Sequence, residues 1–250
     1  MRPARAIAVT TVTALAVAGC VGPLAGDDPS SPPSSSSASQ GTTPSPTRST
    51  DFGRAERELT DAEAKQVLPE RPADATPNES ATVKQRRTDP EVCIDLLRLG
   101  WQGRTAKTMR TAYAESDYFT DADDLETYQG YTLSVSSHSS PVSPGLLSRA
   151  GDALGQCEAF AFTGTSAGSS FDDRILAEGL PVRNIGEQTF AVRLTSFVTL
   201  KGRTHRIYLD HLDVRVGHNL VSVRSASYRE SNGTEELEKK AQEILDNLAK

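Results

Sequence analysis

The stretch TFAVRLTSFVTL (Thr189–Leu200), KG (201–202), THRIYLDHLDVRV (Thr204–Val216), GHN (217–219), LVSVRSASY (Leu220–Tyr228) decides the fold. Phe190, Val192 and Leu194 recur at every second position, and Leu212, Val214 and Val216 alternate with polar residues. A period of two is the mark of strands with one buried face. Lys201-Gly202 and Gly217-His218-Asn219 are turn residues, so the three runs predict an antiparallel meander.

Working upstream, Cys157–Thr163 and Arg174–Leu180 predict two more strands, and Tyr131, Leu133 and Val135 mark another over 131–137. Ser143-Pro144 opens a helix whose Leu146, Ala150, Ala153, Leu154 and Cys157 share one face. Asp89-Pro90-Glu91 reads as a second helix start, with Cys93, Leu96 and Leu97 inward and Gly100 at its end. Thr60 and Glu63 have capping-box spacing, preceded by Leu59, and Pro69 stops that helix. Residues 70–88 read as a polar loop, and residues 101–127 fit either a short helix or an extended segment. Downstream, Asn232-Gly233-Thr234 precedes a helix with Leu237, Ala241, Ile244, Leu245 and Leu248 as its apolar stripe. These elements predict an α+β domain: a twisted antiparallel sheet covered by helices on one face.

The N-terminus carries a different message. Arg2 and Arg5 precede an uncharged run, Ala6–Ala18, that is too short for a bilayer span of about 20 apolar residues and suits a signal peptide. Val17-Ala18-Gly19-Cys20 resembles the bacterial lipobox, in which the cysteine is diacylated and becomes the first residue. Ordinary secretory cleavage after Ala16-Val17-Ala18 is the alternative. The expected organisation is a lipoprotein signal peptide over 1–19, a lipid-anchored disordered tether over 20–52 and a domain over 53–250. The tether is rich in Ser, Thr and Pro and has too few apolar groups to offset the entropy of ordering. As a flexible coil it spans roughly 30 Å.

The chain has three cysteines. With lipid on Cys20, Cys93 and Cys157 remain as a pair in an exported, oxidising setting, and a disulfide between them is expected over two buried thiols. The formal net charge of -6 argues against nucleic acid as a partner. Phosphate-binding loops, CxxC pairs and basic arms are missing, so no cofactor is expected.

Several patterns suggest chemistry. Gly164-Thr165-Ser166-Ala167-Gly168 matches the G-x-S-x-G of serine hydrolases, with Asp213 and His218 following in the required order. An elbow must lead into a helix, however, and Ser169–Asp173 does not resemble one, so no catalytic residue is assigned. His205, His211 and His218 lie close in sequence but read as solvent-facing strand or turn residues rather than metal ligands. Asp121, Asp123 and Asp124 lack the spacing and glycine of a calcium loop. Asn78 and Asn232 sit in N-x-S/T patterns.

Asp89-Pro90-Glu91-Val92-Cys93, Gly155-Gln156-Cys157, the hairpin Val214–Val223 and the C-terminal amphipathic helix together resemble the PknH-type extracellular sensor domain. That family occurs on some mycobacterial receptor kinases and on many free-standing actinobacterial lipoproteins. The resemblance implies a central antiparallel sheet with flanking helices, a bridge between Cys93 and Cys157, and a cleft for a ligand. Members often have a second disulfide near the final hairpin, and this chain has no cysteine there. The combined expectation is a non-catalytic, membrane-anchored extracytoplasmic module for a cell-envelope ligand or protein partner. A serine hydrolase using Ser166 and a ligand-free structural lipoprotein are the alternatives.

Overall fold

The computed structural model describes residues 52–78, 83–97, 109–120, 127–166, 169–200, 203–230 and 233–250. The readings on the leader, Cys20, the tether through Asp51, the 121–124 acidic loop and the 201–202 turn lie outside these residues.

The strands are β1 (Thr76–Pro77), β2 (Val83–Asp89), β3 (Arg110–Thr120), β4 (Gln129–His138), β5 (Ala159–Ser166), β6 (Ser169–Gly179), β7 (Gln188–Leu200), β8 (Arg203–Val216) and β9 (Asn219–Ser227). The helices are α1 (Asp61–Gln66), α2 (Ile94–Leu97), α3 (Gly145–Leu154) and α4 (Glu235–Leu248). All nine strands form one sheet in the order β1-β3-β4-β9-β8-β7-β6-β5-β2. Every neighbouring pair is antiparallel.

The register sorts side chains by face, because opposed residues point the same way. Leu212 opposes Ala191 on β7 and Val223 on β9, and Val223 opposes Leu133 on β4. These residues join Leu237, Ala241, Ile244, Leu245 and Leu248 of α4, and Ala64 of α1, in the larger core cluster. The opposite face starts from Val192, which opposes His211, and Leu194, which opposes Ala177. Val192, Leu194, Ala177, Phe160 and Ile175 pack with Cys93, Leu96, Ala153 and Cys157. Leu146, Leu147 and Ala150 of α3 meet Leu220 there.

Helices therefore lie on both faces, which corrects the expectation of one covered face. α1 and α4 cover one face of the β3-β4-β9-β8 half. α2 and α3 cover the other face, centred on β7, β6 and β5. The reason is the phase of the alternation: β7 carries Ala191 for one cluster and Val192 and Leu194 for the other. A sheet this wide exposes two apolar surfaces, and each needs its own cover.

Two local corrections follow. The segment read as a loop over 70–88 contains β2 at the sheet edge, paired with β5. Its sequence, VKQRRTD, is charged, as edge strands commonly are. Asp89 ends that strand and opposes Ala161 rather than capping a helix, and Pro90 leads into a 3-10 turn, Glu91–Cys93, followed by α2. Residues 110–120 resolve to strand. The capping box of α1 forms, with Glu63 N–H donating to Thr60 Oγ1 at 3.3 Å and Thr60 N–H donating to Glu63 Oε2 at 2.8 Å.

Candidate functional site

Clusters on opposite faces and opposite halves leave part of the sheet without a helix among the described residues. On the face opposite α4, β3 contributes Glu115, Asp117 and Phe119, and β4 contributes Gly130, Thr132 and Ser134. β9 adds Ser222, Arg224 and Ala226, and β8 adds Leu209, His211 and Asp213. The composition is polar because the alternating positions supply the α4 core instead.

A pocket of about 140 Å³ opens on this surface. Asn78, Asp117, Tyr128, Thr132, His211 and Arg224 line it, over Gly130 and Ala226. Asp117 is held in place: Asn78 Nδ2 donates to its Oδ1 at 3.3 Å and Thr132 Oγ1 donates to the same oxygen at 3.2 Å. Asn78 N–H also donates to the Asp117 carbonyl at 3.0 Å. The floor is shallow in side chain because Gly130 opposes Ala226. A Cβ on Gly130 would stand 3.1 Å from Tyr128 Oη and 3.6 Å from Ala226 Cβ.

Toward α2 the surface becomes buried. His211 makes a hydrogen bond with the Leu96 backbone, and burial, reinforced by the nearby Arg224 charge, pushes its pKa down to about 3. The ring is neutral at physiological pH. This corrects the solvent-facing reading: alternation places His211 on the face that α2 approaches, and it is 7% exposed. Asp213 is fully buried and accepts a hydrogen bond from Ser222 Oγ. Burial raises its pKa from 3.8 to about 6, against the opposing pull of Arg224 and Ser222.

That shift has a definite sign. The folded state holds a proton on Asp213 between about pH 4 and 6 that the unfolded chain releases, so wild-type stability falls as pH rises through that window. Asp213→Asn, which never ionises, gains on the wild type by about 2 kcal/mol between pH 4 and pH 7. Urea melts of both proteins at the two pH values check this; an unchanged difference contradicts it.

The other sequence candidates are dispersed. Ser166 ends β5 and opposes Ser169 at the start of β6, so the G-x-S-x-G lies in a β-hairpin. A nucleophile elbow needs a strand running into a helix, and that local geometry is missing. Asp213 is engaged with Ser222, while His218 Nδ1 lies 2.7 Å from the His138 carbonyl in the β8–β9 turn. His205 is partly buried with its ring edge-on to Tyr228, at 6.2 Å. Among the described residues, no group of three or more His, Cys, Asp or Glu side chains is placed to hold a metal ion. No helix among them is long and apolar enough to cross a membrane. Cys93 and Cys157 are joined, with Cα atoms 5.6 Å apart, and lie in the second core cluster rather than at the pocket.

Sequence reasoning missed most of the pocket. Asn78 fell in a segment read as loop and Asp117 in one left ambiguous. The available signal was the alternation of Ala112, Ala114 and Tyr118 with Tyr113, Glu115, Asp117 and Phe119.

No family model and no curated protein matches the chain. Among solved structures, an uncharacterised protein from Mycobacterium smegmatis aligns at 11% identity and TM-score 0.39, covering 72% of this chain and 92% of its own. The extracellular domain of PknH from Mycobacterium tuberculosis aligns at 13% identity and TM-score 0.55, covering 77% of this chain and 98% of that domain. The described domain therefore has the PknH-type sensor-domain fold.

Proposed function

We propose that the chain is a non-catalytic binding module, anchored by lipid on Cys20 outside the cytoplasmic membrane, that recognises a component of the cell envelope or a protein partner. The observation that carries this reading is the polar face of β3-β4-β9-β8, without a covering helix among the described residues, with its pocket at Asp117, on a fold shared with an extracellular sensor domain. Binding sites are concave and place a few convergent polar groups, as here. The hydrolase alternative loses its support because the hairpin at Ser166 supplies no elbow.

Anchoring rests on the lipobox and the tether. Two acyl chains hold a protein to a bilayer far more firmly than one. Cys20→Ser therefore moves the protein from the membrane pellet to the soluble fraction of broken cells. Retention of the Ser variant in the pellet through salt and carbonate washes overturns the anchor.

A further inference from the structure

Four rings cross the open face beside the pocket, each from a different strand or its flank. Phe119 lies on β3, Tyr128 precedes β4, Tyr228 follows β9 and His205 lies on β8. Consecutive centroids are 6.0 Å (Phe119–Tyr128), 5.7 Å (Tyr128–Tyr228) and 6.2 Å (Tyr228–His205) apart. All four are partly exposed. None of the three buried apolar clusters includes them. A row of rings outside the core, next to a pocket with fixed polar groups, is suited to recognition: Tyr128, Tyr228 and His205 each offer an apolar body with a polar tip, and Phe119 a purely apolar face.

The polar set narrows the ligand. Asp117 accepts hydrogen bonds, Arg224 only donates, and the Tyr128 hydroxyl does both. Burial is the main cause holding the Tyr128 phenol above its usual pKa, so it keeps its proton. One carboxylate and one guanidinium balance each other in charge, which disfavours both an anion and a cation. Hydroxyl groups, which donate and accept at once, match such a lining. The pocket's 140 Å³ lies below the roughly 300 Å³ at which ordinary small-molecule sites begin, so it takes the edge of one sugar ring and leaves the rest of the ligand outside. The aromatic row lies where those neighbours fall.

We infer that the Asp117 pocket and the Phe119–Tyr128–Tyr228 row bind a neutral oligosaccharide, the edge of one pyranose entering between Asp117 and Arg224 and the next stacked on the rings. This deepens the binding-module reading and rests on it. The favoured sugars are β-linked with equatorial hydroxyls, because their ring faces present flat C–H surfaces to an aromatic ring.

The test uses the full mature chain in detergent. It is applied to a printed array of gluco-, galacto-, manno- and N-acetylglucosamine oligosaccharides, then titrated with cellotriose and chitotriose. Saturable binding is expected for a β-linked gluco-configured sugar. Tyr128→Ala and Asp117→Asn each weaken it about tenfold, a change expected when one ring or one charged hydrogen-bonding group is lost. Gly130→Ala, whose methyl would meet the Tyr128 hydroxyl at 3.1 Å and push that ring aside, weakens it too, whereas Leu176→Ala on the opposite face leaves it unchanged. Tyr128→Phe retains most of the affinity, which separates stacking from a folding defect. Sugar binding indifferent to Tyr128→Ala and Gly130→Ala overturns the site. Binding displaced by inorganic phosphate overturns the neutral class. A silent array overturns the sugar; if a photo-crosslinker at position 119 still captures envelope material in cells, the binding-module reading stands, and if that is silent as well, both fall.

Discussion

Replacing Cys93 and Cys157 together by alanine lowers the free energy of unfolding by about 4 kcal/mol on the chain-entropy account of loop closure. The two residues are 64 apart in sequence, so the bridge removes a large loop from the unfolded ensemble. Both are fully buried, and they join the segment entering α2 to the end of α3. These are the two helices that cover the β5-β6-β7 half. Cys93 immediately precedes α2 (Ile94–Leu97), so the bridge fixes where that helix enters the core. Urea denaturation with and without reductant measures the effect. Reductant brings the wild type down to the variant and leaves the variant unchanged. Equal stability of oxidised wild type and variant, or two free thiols in non-reduced peptides, contradicts the bridge.

Gly217→Ala costs about 3 kcal/mol, the combined scale of a left-handed non-glycine residue and an overpacked contact. Gly217 has φ of +52°, in the left-handed region that favours glycine. A Cβ there would stand 2.4 Å from the Glu56 carbonyl oxygen and 2.6 Å from Glu56 Cα. Those are backbone atoms, which cannot swing aside as a side-chain tip can. The same turn ties the start of the domain to the sheet: His218 N–H donates to the Glu56 carbonyl at 3.0 Å. Asn219 Nδ2 donates to the carbonyls of Ala55 and Arg57, each at 2.8 Å. Alanine at 217 thus lifts residues 53–57 off the sheet as well as straining the turn. Denaturant melts and limited proteolysis near Arg54 and Arg57 read the two effects separately. Unchanged stability and unchanged cleavage contradict the packing described here.

The meander was legible because its strands are long and half-buried, so alternation and turn residues agree with each other. The α4 stripe was legible for the same reason, and all five of its apolar residues are buried. Alternation was also enough to assign Val192 and Leu212 inward; it did not show that they point inward on opposite faces. That depends on the β7–β8 register, in which Val192 meets His211 and not Leu212. The covering of both faces and the burial of His211 follow from this one fact. β2 was illegible because an edge strand needs little apolar content, and its partner, β5, is distant in sequence. The pocket was illegible because Asn78, Asp117, Tyr128, Thr132 and Arg224 are ordinary polar residues drawn from four separate parts of the chain. Only the strand order brings them together.

On the proposed reading, this protein meets its ligand at the polar face of β3-β4-β9-β8. A photo-crosslinking benzoylphenylalanine replaces Phe119, on the polar face beside the pocket, or Leu176, on the other face of the sheet, in cells making the full chain. Irradiation is expected to attach envelope material to the protein carrying the probe at position 119 and not to the one carrying it at 176. Adducts formed equally at both positions, or only at 176, contradict the account.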